Sequence, residues 1–107
     1  MSWLDKVVKY GMLRSEKLVV ENILDKLKYE HDGQLFRGNL KPFVQEVAKA
    51  SGVHTNTVYY VIRRLKELGI LEEAIINGKD YIVLSKRFSS RMIKLGREYS
   101  EWLKAKA

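Results

Sequence analysis

Apolar residues recur at helical spacing in five stretches of the chain, and two shorter apolar runs flank a turn signal. Trp3, Leu4, Val7, Val8, Met12 and Leu13 fit a short amphipathic helix with Gly11 as its break. Ser15 followed by Glu16 predicts a helix start, because a hydroxyl caps free N–H groups and a carboxylate suits the positive helix end. Behind it Val20, Ile23, Leu24 and Leu27 repeat at i, i+3, i+4, i+7, and Asp32-Gly33 stops the helix. His31 lies on the extension of that stripe, so a packing role is expected for it. Residues 34–38 are short and bounded by glycine, as a single small strand would be.

A further helix is expected over residues 39–50, where Leu40, Phe43, Val44, Val47 and Ala48 share one face. Pro42 falls in its first turn, where a missing N–H costs nothing. Ser51-Gly52-Val53 leaves room only for a tight turn before the next helix, over 55–68, with Val58, Val61, Ile62, Leu65 and Leu68 inward. Gly69 closes that helix and Ile70 folds back on its last turn. Residues 70–76 and 81–85 are rich in Ile, Leu, Val and Tyr, and Asn77-Gly78 between them is a strong hairpin signal. Alternation there is imperfect, so the register stays open. The tail from about 86 to 104 reads as helix, with Phe88, Met92, Leu95, Tyr99 and Trp102 spaced 4-3-4-3 as in a coiled-coil seam. The expected organisation is a helical arm over 1–14, a central domain over 15–85, and a C-terminal helix over 86–107.

Composition sharpens this picture in three ways. At 107 residues and 46% hydrophobic, the chain supports one domain with one modest core. It has no cysteine, which excludes disulfides and thiolate metal sites and suits an intracellular protein. The first residues lack a signal peptide's apolar run, and no apolar stretch reaches the roughly 18 residues that span a bilayer, so a cytoplasmic protein off the membrane is expected. The net charge of +7 attracts polyanions, and it is concentrated in two places. Residues 86–107 carry seven basic and two acidic side chains, and Arg63, Arg64 and Lys66 stand against Glu67 alone in 54–68.

The order helix, short strand, helix, tight turn, helix, hairpin, together with residues 43–71, resembles the winged helix-turn-helix transcriptional regulators. The matching features are Val47-Ala48, Ser51-Gly52-Val53 at the turn, Thr57-Val58, and the ending Arg64-Leu65-Lys66-Glu67-Leu68-Gly69-Ile70-Leu71. The resemblance covers roughly residues 15–85. Scarce Gln, no Cys and abundant Lys, Ile, Val and Tyr are also similar to archaeal or archaeal-virus regulators. It implies a mainly α fold with a small β-hairpin wing (α+β), and a helix at about 55–68 that enters the DNA major groove. Asn pairs bidentately with adenine and Arg with guanine, which makes Thr55, Asn56, Tyr59 and Arg63 the expected base contacts. Lys41, Tyr60, Arg64, Lys66 and Lys79 are the expected phosphate contacts. Duller roles compete: Thr55 as a helix cap, Tyr59 or Tyr60 as packing, Arg63 and Arg64 as solvated surface, His54 as an exposed imidazole. The wing tip Asn77-Gly78-Lys79-Asp80 departs from the cation-rich tips of such regulators, so Lys79 alone is left there to reach a phosphate.

For the final helix two readings stand. Either Phe88, Met92, Leu95, Tyr99 and Trp102 pair two subunits, with Arg87, Arg91, Lys94 and Arg97 adding affinity for DNA, or the seam folds back onto Trp3 and Val7. Pairing predicts a homodimer on a two-fold symmetric site. No enzyme is expected. The two histidines lie 23 positions apart, Glu72 and Glu73 point to opposite faces of one strand, and no Gly-rich phosphate loop is present. Neither cofactor, metal nor small-molecule ligand is called for. The competing functional classes are a winged-helix module that binds protein, with Tyr59 and Tyr60 as anchors, and an architectural or replication-associated DNA binder with little sequence preference.

Overall fold

The computed structural model describes residues 2–9 and 16–105. Five α-helices and three strands follow in the order α1 (Ser2–Lys9), α2 (Lys17–Glu30), β1 (Gln34–Phe36), a 3-10 turn (Arg37–Asn39), α3 (Leu40–Ser51), α4 (Thr55–Glu67), β2 (Leu71–Ile76), β3 (Lys79–Leu84) and α5 (Phe88–Lys104). This is an α+β winged helix-turn-helix, with a three-stranded antiparallel sheet in the order β1-β3-β2. The helix start expected at Ser15, and the arm residues Gly11, Met12 and Leu13, lie outside the described residues.

The helical stripes make the core. Val19, Val20, Ile23, Leu24 and Leu27 of α2 meet Phe43, Val44, Val47 and Ala48 of α3 and Val58, Val61, Ile62 and Leu65 of α4. The sheet closes the core with Leu35, Leu71 and Ile82, and Leu4 joins it from α1. No polar or charged residue among those described is buried. Burying an aliphatic side chain of this kind contributes about 1.5–3 kcal/mol. His31 is half-buried, edge-on to the Phe43 ring at 5.7 Å between centroids. Asn22 Nδ2 donates to Ser51 Oγ at 2.7 Å and Lys26 bridges Glu46 at 2.5 Å, so α2 also holds α3 by polar contacts at the rim.

The turn between α3 and α4 fixes the angle of α4. Gly52 sits at φ +67°, and its N–H reaches back to the α3 carbonyls. A side chain there would strain the backbone by roughly 1–2 kcal/mol. The cap of α4 is His54, whose Nδ1 accepts the Asn56 N–H at 3.1 Å. Thr55, expected as a possible cap, is instead the first helical residue. The helix starts at Thr55 as its spacing predicts, and an imidazole nitrogen serves at the cap where Ser or Asp is the commoner acceptor.

In the wing, Asn77 and Gly78 both have positive φ, 51° and 76°, as a two-residue hairpin turn requires. Glu72 pairs with Val83, Ala74 with Tyr81, and Ile76 with Lys79. These residues, with Gln34 and Phe36 of β1, therefore share the outer face, while Leu35, Leu71 and Ile82 share the inner one. The weak alternation has a cause: Ala74, Ile76 and Val83 are apolar on the outer face, and Glu73 and Ile75 are exposed on the inner face beyond the core's edge.

The two neighbouring carboxylates work on opposite faces. Glu72 takes Arg91 at 2.6 Å and Arg87 at 3.2 Å, which fastens the root of α5 to β2. Glu73 takes Arg37 at 2.6 Å and Lys66 at 2.9 Å, tying the end of α4 to the wing. Partial burial pushes the Glu72 carboxyl up, but hydrogen bonds from Arg87 and Ser85 and the charges of Arg87 and Arg91 outweigh it and hold the group below its usual 4.5. A carboxylate with a depressed folded value adds stability above its unfolded value and loses it as pH falls through the folded one. The α5 root should therefore loosen only below about pH 4.5. The effect should stay under about 1 kcal/mol, because the arginines face water. Acid titration followed by amide chemical shifts of Arg87 and Arg91 tests this. Glu72→Gln should remove the transition, and an unchanged transition in that variant would reassign it.

Candidate nucleic-acid interface

Four residues of α4, Val58, Val61, Ile62 and Leu65, are buried, so the opposite side of the helix is turned away from the body. Asn56, Tyr60 and Arg63 occupy that side at i, i+4 and i+7. All three are exposed. The side chains of Asn56 and Arg63 have no hydrogen-bond or ion-pair partner among the described residues. Neither α5 nor the wing covers them. Tyr60 is 52% exposed and continues the strip, whereas Tyr59, 38% exposed, stands at its edge. Thr55 and Thr57 are half-buried beside the helix start.

The candidate cations differ in how freely they can move. Lys41 is exposed near the start of α3. Arg64 pairs with Glu67 one turn on, at 3.2 Å, and a surface pair of this kind is readily exchanged for a phosphate. Lys66 is half-buried and already held by Glu73, which also holds Arg37. Lys79 lies over the Phe36 ring at 5.7 Å. Sequence reasoning missed Arg37, because Arg37, Lys66 and Glu73 come together only when β1, α4 and β2 are assembled.

The expected seam of α5 divides. Phe88 is half-buried against the core, 6.5 Å from the Trp3 ring, so the fold-back reading describes the root of the helix. Met92 is half-buried, and Leu95, Tyr99 and Trp102 are exposed at 57%, 58% and 71%. Leu103, exposed at 62%, borders the same strip and was not singled out from the sequence.

Elsewhere, a groove of about 680 Å³ opens on the outer face of the sheet between Lys28, Ala74, Val83 and Arg87, with no part of α4 in its wall. Among the described residues no group of three or more His, Cys, Asp or Glu is placed to hold a metal ion. No helix among them is long and apolar enough to cross a membrane.

No family model and no curated protein matches the chain. Among solved structures it is similar to the crystal structure of the AntR antimony-specific transcriptional repressor, at 22% identity over 96% of this chain and 78% of that one. The TM-score is 0.41, a likeness too loose to carry any residue's role across.

Proposed function

We propose that this protein binds double-stranded DNA by laying α4 in the major groove, and that it acts as a transcriptional regulator in the form of a homodimer paired through α5. The observation that carries the reading is the exposed strip Asn56, Tyr60 and Arg63 on a helix whose other side is locked into the core. A helix pinned this way is a rigid rod of a width the major groove accepts. Asn56 and Arg63 supply the two side chains best suited to bidentate base recognition, and Tyr60 stands between them. Tyr59 and Thr55 flank the strip. Lys41 and Arg64 are the phosphate contacts closest to hand, with Lys66 and Lys79 joining if they leave Glu73 and Phe36. The wing contributes little, since its tip carries one cation next to Asp80.

Binding measured over a range of salt tests the proposal. Each phosphate contact steepens the fall of log K with log salt by roughly 0.9, so four cations per protomer predict a slope near −3.5 for each half of the dimer. Affinity for DNA that is absent at low salt, or that ignores salt, would remove duplex DNA as the partner and leave the exposed tyrosines as anchors for a protein.

A further inference from the structure

The apolar strip of α5 leaves the body of the molecule without a cover. At 1.5 Å per residue the helix is about 25 Å long, and none of its residues is buried. Its root is held by Phe88 and by the two arginines on Glu72. Past Met92, the residues Leu95, Tyr99, Trp102 and Leu103 continue the strip into solvent. Their combined exposed area is roughly 500 Å², in the upper part of the roughly 300–600 Å² that a monomer's largest and often functional patch covers. With flanking side chains it approaches the roughly 800 Å² per partner of a standard interface.

Gly96 lies on the edge of this strip, one turn from both Met92 and Tyr99. A Cβ added there would meet nothing within 4 Å. Glycine is a poor helix former, and no contact among the described residues accounts for it at the middle of an exposed helix. A close-packed neighbouring helix would.

The charges beside the strip tell the two orientations of such a neighbour apart. Helical geometry puts Arg91, Lys94, Glu98 and Glu101 along one flank, and Ser89, Gly96 and Leu103 along the other. Basic residues precede Gly96 on the charged flank and acidic ones follow it. Lys94 and Glu98 stand two residues on either side of Gly96, Arg91 and Glu101 five. In an antiparallel pair with Gly96 opposite Gly96, the two charged flanks lie on the same side. Lys94 then comes level with Glu98 of the second copy, and Arg91 with Glu101, each twice by symmetry. Arg91 has donors for this, because its contact with Glu72 is through Nη1. The two small flanks meet on the other side, glycine against glycine. In a parallel pair the charged flank lies against the other copy's uncharged flank, and no charges match.

We propose that the second copy of this chain docks on α5 antiparallel, with the two helices crossing at Gly96. The inference rests on the homodimer proposed above and adds its orientation. The two winged domains then leave from opposite ends of a rod about 25 Å long.

The chain has no cysteine, so single-cysteine variants of the full-length protein report the arrangement directly. On mild oxidation, a mixture of Ser89→Cys and Leu103→Cys proteins should form the mixed disulfide dimer, and neither variant alone should cross-link. Self-cross-linking of Trp102→Cys, a seam position that faces its own copy only when the helices run parallel, would overturn the proposal. A dimer in sedimentation that yields none of these disulfides would overturn the crossing while leaving a homodimer standing elsewhere. A monomer at micromolar concentration would overturn both, without bearing on DNA binding by α4. Gly96→Leu gives a second readout. It fills open space in the single chain, so helix content should hold or rise while dimer affinity falls at least tenfold; unchanged or tighter dimerisation contradicts a close crossing at this residue.

Discussion

Replacing Arg63 by Ala is expected to weaken binding to a preferred DNA site about tenfold to a hundredfold, with almost no change in folding stability. A good bidentate contact between Arg and guanine discriminates by roughly 1–3 kcal/mol. Arg63 is exposed on α4 and has no ion-pair partner among the described residues, so its removal should cost the fold no more than about 0.5 kcal/mol. Asn56→Ala should act similarly at a different base position. The two losses should be close to additive, because the residues lie seven apart and share no partner. Fluorescence anisotropy with a labelled site, alongside thermal melts, separates the two quantities. Equal weakening on every sequence would turn Arg63 into a phosphate contact, and unchanged binding would remove α4 from the interface.

Leu65→Ala should have the opposite signature. Leu65 is fully buried beneath α4, only two positions from Arg63. Truncating a buried leucine removes its transfer free energy and leaves a cavity, a loss of about 2–5 kcal/mol. That is a large fraction of the roughly 5–15 kcal/mol that holds a domain of this size together. Denaturant unfolding should show a midpoint shifted well down, with DNA affinity lost in proportion to the unfolded fraction. A midpoint within about 0.5 kcal/mol of the parent would mean that α4 is not pinned from behind, and the case for a rigid recognition helix would weaken with it.

The contrast between these neighbours shows what the amino-acid pattern makes legible. The inward faces of α2, α3 and α4 follow from apolar spacing, because burial is the dominant favourable term and the helix repeat dictates which residues share it. The Asn77-Gly78 turn was equally plain, since few residue pairs accept positive φ twice. Less visible was the division of labour between Tyr59 and Tyr60. One residue is a rotation of about 100° on a helix, so placing either tyrosine requires knowing where the buried stripe is centred. The start of α4 at Thr55 follows from its spacing, but its cap does not, because histidine is not a usual acceptor at that position. The partners of Glu72 and Glu73 could not be read at all. Their opposite facing follows from strand geometry, but Arg37, Lys66, Arg87 and Arg91 reach them only through the assembled fold. The 4-3-4-3 spacing of α5 leaves two readings open, and the fold-back one describes only its root: Phe88 turns to the body, and the residues beyond Met92 are exposed.

Selection of bound sequences from a random duplex pool, run in parallel with the native chain and with the Asn56→Ala and Arg63→Ala variants, tests the central claim most directly. The account predicts a sequence motif enriched by the native chain that loses information at separate base positions in each variant. A pool that stays random, or a motif that both variants reproduce unchanged, would contradict it.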